Sequence, residues 1–173
     1  VSIRFLRASE ETRSREMNTE YWTKQDLYLC MDALHQHLKI PLSEIPFDSK
    51  RIAISYTKDL LLEKIDFPSL YICGILYKGA KTTSIALNSN RTDEMQNFDC
   101  MHELIHYFIH DIQYCQRICK DQNNQNFRIE QDEYIEWQAN EGAAQFLVPY
   151  QCFIPDYVEL SKKYARKPFP DIE

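Results

Sequence analysis

The sequence predicts a single α+β domain in which a small antiparallel sheet packs on helices. Three observations predict it. A block in the middle of the chain alternates with the period of strands, the segments on either side carry apolar residues at helical spacing, and no repeat or internal boundary divides them. At 173 residues the chain has the length of one domain and can bury a core. Its 44% apolar and 13% aromatic residues separate it from disordered chains.

The elements follow in order. Residues 1–16, VSIRFLRASEETRSRE, are charged and precede Met17; they are expected to be an extension outside the fold, leaving one domain over 17–173. From Lys24 to Lys39, Leu27, Cys30, Met31, Leu34 and Leu38 recur at helical spacing behind Thr23, a suitable N-cap. His35 and His37, two positions apart, point to different sides of that helix and are expected at the surface. RIAISYT (51–57) alternates like a strand, and DLLLEKIDF after it is ambiguous. SLYICGILY (69–77) and TTSIALNS (82–89) read as two strands joined by a hairpin at Lys78–Lys81. Thr92, with Asp93 and Glu94 behind it, starts a helix running to about Asp111. QRICKDQNNQNFR reads as a polar connection. Residues 131–148 form a second long helix with Ile135, Ala139, Ala143, Phe146 and Leu147 inward, stopped by Pro149. A short helix is expected at about 156–165, then a tail.

Composition narrows the function classes. Three glycines argue against a Gly-rich phosphate loop or a dinucleotide fingerprint. A net charge of −6 argues against direct nucleic-acid binding and suits a basic protein partner. No apolar run approaches the roughly 18–20 residues of a membrane span. The six cysteines follow no secretory leader, which points to free thiols and a cytoplasmic protein. Cys115 and Cys119, four apart with no further Cys or His nearby, are a weak metal pattern.

The chemistry concentrates in MHELIHYFIH, residues 101–110. His102, Glu103 and His106 match H-E-x-x-H. Residues four apart on a helix share one face, so both imidazoles can converge on one Zn²⁺ while Glu103 reaches a metal-bound water without being a ligand. Zinc brings the pKa of that water towards neutrality, and a carboxylate takes its proton as it attacks a carbonyl. The competing reading is a core helix with two hydrogen-bonded histidines at its rim; Met101, Leu104, Ile105, Phe108 and Ile109 bury the helix under either reading. The residue six after His106 is Ile112, not His, which excludes a metzincin. His110 lies two turns from His102, about 12 Å along the axis, too far to share the metal. It is left as a partner of a ligand, a substrate contact or, preferred, a surface residue.

The third ligand is expected among the carboxylates of the second helix. Glu136 is favoured over Glu133 and Glu141, because Asn140 follows it at i+4 on the same face, placed to accept from a ligand histidine's other ring N–H. The small Ala139, Gly142, Ala143 and Ala144 let two helices approach closely. Tyr107, Tyr114 and Tyr134 are candidates for stabilising an oxyanion, with packing the simpler role for each.

HELIHYFIH followed by EWQANEGAAQFLVP resembles the paired signature of the ImmA/IrrE-type zinc metallopeptidases, close to HELGHxxLH and ExEANxFAAxLLxP. His102, Glu103, His106 and His110 match the first; Glu136, Ala139, Asn140, Ala143, Ala144, Leu147 and Pro149 match the second. The likeness covers roughly residues 50–150. It implies a thermolysin-like core with Glu136 as third ligand, one Zn²⁺, and cleavage of a helix-turn-helix DNA-binding repressor. Three departures stand out: Ile105 replaces a usual Gly, Gly142 stands where Phe is common, and Gln138 replaces a frequent Glu. Two rival readings remain, a zinc-bearing but catalytically idle module that sequesters a regulator, and a zinc hydrolase of a non-peptide substrate. Retention of Glu103 weighs against the first.

Overall fold

A computed structural model describes residues 22–57, 59–79, 81–110, 116–120 and 133–164. The expected extension at 1–16 and the tail lie outside these residues. Helix α1 spans Lys24–Leu38 and starts as expected: Thr23 accepts from the Asp26 N–H while the Asp26 carboxylate accepts from the Thr23 N–H. Leu27, Met31, Leu34 and Leu38 form its buried stripe. His35 is also buried, against expectation. Its ring stacks on Phe146 at 3.9 Å, with Nε2–H donating to the Phe146 carbonyl.

The expected strand at 51–57 is a helix, α2 (Ser49–Tyr56). Asp48 caps it by accepting from the N–H groups of Lys50 and Arg51, and the buried Ser49, Ile52 and Ala53 fall at helical spacing. The ambiguous segment after it becomes strand β1 (Leu60–Ile65). Strands β2 (Ile72–Lys78) and β3 (Thr83–Asn88) form the expected antiparallel hairpin. The segment that reads as a polar connection contributes β4 (Gln116–Lys120), antiparallel to β2. The sheet order is β1-β3-β2-β4, and β1 runs parallel to β3, Leu60 opposite Thr83. The sheet is therefore mixed and four-stranded rather than antiparallel and three-stranded, while the α+β class holds.

Helix α3 (Asp93–Ile109), capped by Thr92, lies at the centre. It packs on the sheet, chiefly β2 and β3, on α2, and on α4 (Glu133–Leu147), which in turn packs on α1. Leu76, Ile85 and Leu87 of the sheet and Met101, Leu104 and Ile105 of α3 are fully enclosed in this core, each such side chain worth about 1.5–3 kcal/mol over its exposed state. Helix α4 buries the five residues expected of it. Pro149 separates it from α5 (Tyr150–Tyr164), which begins earlier than expected. Two anchors fix the entry to α3. The side chain of Asn88 donates to the carbonyls of Ser69 and Ile72, and Asp99 is buried in an ion pair with Arg91 at 2.7 Å. Among the described residues no helix is long and apolar enough to cross a membrane, and Cys30, Cys100 and Cys152 are free thiols.

Candidate metal centre

Side chains from α3 and α4 meet at one point, two of them buried and one partly exposed. His102 and His106, one helical turn apart and each 1% exposed, face each other with their Nε2 atoms 3.0 Å apart. From α4, Glu136 brings one carboxylate oxygen to 3.3 Å from His102 Nε2 and the other to 3.4 Å from His106 Nε2. Donor atoms held about 2.0–2.1 Å from a tetrahedral ion stand about 3.3 Å from one another. The separations of 3.0, 3.3 and 3.4 Å lie near that figure, with one Glu136 oxygen towards each histidine, and two imidazoles with one carboxylate suit Zn²⁺. Among the described residues, His102, His106 and Glu136 are thus a group that could hold a metal ion, and they are the three that the sequence proposes.

The two rival carboxylates are placed elsewhere. Glu141 turns to α1, bonding to Lys24 at 2.7 Å and to the Tyr28 hydroxyl. Glu133 is exposed. Burial alone would raise the Glu136 carboxyl pKa; the hydrogen bonds and charge of His102 and His106 outweigh it and hold the group far below the usual carboxylate range.

Asn140 stands where the spacing puts it. Its Oδ1 is 3.0 Å from His102 Nδ1, so the imidazole donates there and presents its Nε2 lone pair inward. Glu103 is wholly buried beside the pair, against β2. A Cβ added at Gly74 would lie 3.3 Å from Glu103 Oε1, so the absence of a side chain at 74 makes the space this carboxylate occupies.

His110 is not the surface residue preferred from the sequence. Its Nδ1 is 2.8 Å from His106 Nδ1, and its Nε2 is 3.0 Å from Gln138 Oε1. In the sequence Gln138 stands out only as a departure from a pattern, and no local spacing pairs it with a residue of α3. Of the tyrosine candidates, Tyr134 hydrogen-bonds the backbone of Trp22, Tyr107 is half-buried, and Tyr114 lies outside the described residues. The Cys115–Cys119 pair also falls outside what the structure describes of side chains.

The two departures within the motifs touch each other. A Cβ at Gly142 would lie 3.3 Å from Ile105 Cγ2 and 3.4 Å from Met31 Sδ. The bulk of Ile105 on α3 fills the space a side chain at 142 would take, so α3 and α4 pack closely at this point.

Fold and site together define a class: an α+β domain whose two packed central helices bring two buried histidines and a partly buried glutamate together in a set that could hold a metal ion, beside a fully buried second glutamate. The chain belongs to the IrrE N-terminal-like domain family of peptidases, whose model matches residues 35–166. A comparison with curated proteins finds no match.

Proposed function

We propose that the chain is a zinc-dependent endopeptidase that cuts a specific intracellular protein, a helix-turn-helix repressor being the class the family resemblance suggests. The observation that carries this reading is the His102–His106–Glu136 triangle with Glu103 buried beside it. His102, His106 and Glu136 would hold the ion. Zinc, when bound, supplies Lewis acidity and a water made acidic enough to lose a proton near neutral pH.

The chain's own residues do the rest. Glu103 would take a proton at its carboxylate from the attacking water as that water's oxygen bonds to the peptide carbonyl carbon, and return it to the leaving amine nitrogen as the C–N bond breaks. Its burial keeps bulk water from competing for the proton. Asn140 fixes the His102 ring so that its Nε2, not its Nδ1, faces the centre. An idle binding module has no use for Glu103 in this place.

The test is to incubate the zinc-loaded protein with a panel of helix-turn-helix repressors and map products by mass spectrometry, beside Glu103→Gln. Cleavage of one member at a defined bond, slowed about 10²–10⁴-fold or more in the variant with its zinc retained, is expected. Equal cleavage by the variant would overturn the assigned role. Tight binding of a repressor by both proteins without any cut would favour a sequestering module.

A further inference from the structure

We propose that His110 and Gln138 are positioning residues of the metal centre: His110 accepts the Nδ1 proton of His106 and passes its own Nε2–H to Gln138. This rests on the zinc reading above and extends it to the orientation of the second imidazole.

The protons follow from the acceptors. Gln138 Oε1 is a carbonyl oxygen, so the His110 Nε2 standing 3.0 Å away donates to it. A neutral His110 with its proton on Nε2 has a lone pair on Nδ1. His106 Nδ1, 2.8 Å from that lone pair, must then be the donor. A His106 protonated on Nδ1 carries its remaining lone pair on Nε2, the atom facing His102 and Glu136. With His110 neutral and the Gln138 carbonyl oxygen facing it, each of these ring nitrogens takes one role, and the result is the tautomer that metal ligation through Nε2 needs.

The backbone explains how His110 does this. It is the residue that ends α3, with extended φ −92° and ψ 128°, yet its own N–H still donates to the His106 carbonyl at 3.2 Å. Its ring folds back against that of His106, with centroids 4.8 Å apart. Gln138 is 4% exposed on α4, which gives the relay a fixed end. Helix α4 thereby orients both imidazoles, His102 directly through Asn140 and His106 through His110, while supplying the carboxylate between them. A neutral amide terminates the relay where the resembling pattern often has a carboxylate, and a carboxylate is the stronger acceptor.

The experiment measures zinc affinity by chelator competition for wild type, His110→Phe, Gln138→Leu and Gln138→Glu, with circular dichroism to show that each is folded. It adds ¹⁵N–¹H histidine spectra of the zinc-loaded wild type. Expected are an affinity about 10–100-fold weaker in His110→Phe and Gln138→Leu, wild-type affinity or better in Gln138→Glu, and His110 neutral with its proton on Nε2. Unchanged affinity in the first two, or His110 protonated on Nδ1, overturns the relay while leaving the zinc reading intact. A wild type that binds no zinc overturns both.

Discussion

The contact between Ile105 and Gly142 gives the most quantitative prediction, because it sets how far apart the ligand-bearing helices sit. A side chain at 142 starts with a Cβ only 3.3 Å from Ile105 Cγ2 and 3.4 Å from Met31 Sδ, and both neighbours are fully buried. Gly142→Phe therefore has nowhere to put its ring and should destabilise by about 1–3 kcal/mol or more through overpacking. Ile105→Gly empties a fully buried site at about 2–5 kcal/mol, with roughly 1 kcal/mol more for glycine inside a helix. If the two positions trade volume, the double variant should be more stable than the sum of the two losses by about 1–3 kcal/mol. Urea unfolding of the metal-free proteins measures all four corners of the cycle. Agreement with simple addition to within about 0.5 kcal/mol would refute the exchange of volume. The same cycle read in zinc affinity should show the double variant recovering towards wild type, since Ile105 precedes His106 and Gly142 lies beyond Asn140 on the facing helix.

Other perturbations test separate parts of the account. Gly74→Ala puts a methyl 3.3 Å from Glu103 Oε1 and 3.4 Å from the Ala86 carbonyl oxygen; peptidase activity should fall about tenfold or more through displacement of the base, with zinc content unchanged, and an unaffected rate would count against Glu103's placement. His35 predicts a pH dependence of stability. Burial lowers its folded pKa below 6.5, against the raising effects of its bond to the Phe146 carbonyl and the charge of Asp32. Its Nδ1 has no hydrogen-bond partner among the described residues. The unfolded chain takes up the proton first, so the contribution of neutral His35 is complete above its unfolded pKa and is lost as pH falls from there towards the folded value, at a slope of up to about 1.4 kcal/mol per pH unit. Denaturant titrations of wild type and His35→Gln at pH 7.5 and 5.5 check this, and an identical pH response in the two would contradict it.

The meeting of His102, His106 and Glu136 is legible in the sequence because its information is local. H-E-x-x-H fixes two ligands on one helix face, and Asn140 four residues after Glu136 marks the facing helix. The helix starts at Thr23 and Thr92 were readable for the same reason, each with a capping hydroxyl and an acidic first turn. Segment 51–57 misled because Ile52, Ile54 and Tyr56 alternate, whereas Ile54 is 71% exposed and the burial that matters is Ser49, Ile52 and Ala53. Over eight residues the two periods overlap, and Asp48 ahead of the segment was the missed sign of a helix. The parallel pairing of β1 with β3 depends on strand order, which no local pattern carries. Strand β4 escaped notice since an edge strand can be polar. His35 and His110 read as surface residues because the partners that turn them inward, Phe146 and Gln138, stand 111 and 28 residues away in the chain.

The central claim is a zinc ion held by two residues of α3 and one of α4, and elemental analysis of purified wild type and Glu136→Ala tests it most directly. The account predicts about one zinc per chain in wild type, and in the variant a loss of affinity beyond the roughly 10–100-fold that removal of a supporting hydrogen bond costs. A wild type that takes up no zinc after reconstitution, or a Glu136→Ala that holds it as tightly, would contradict the account and return the histidine-bearing segment to a core helix.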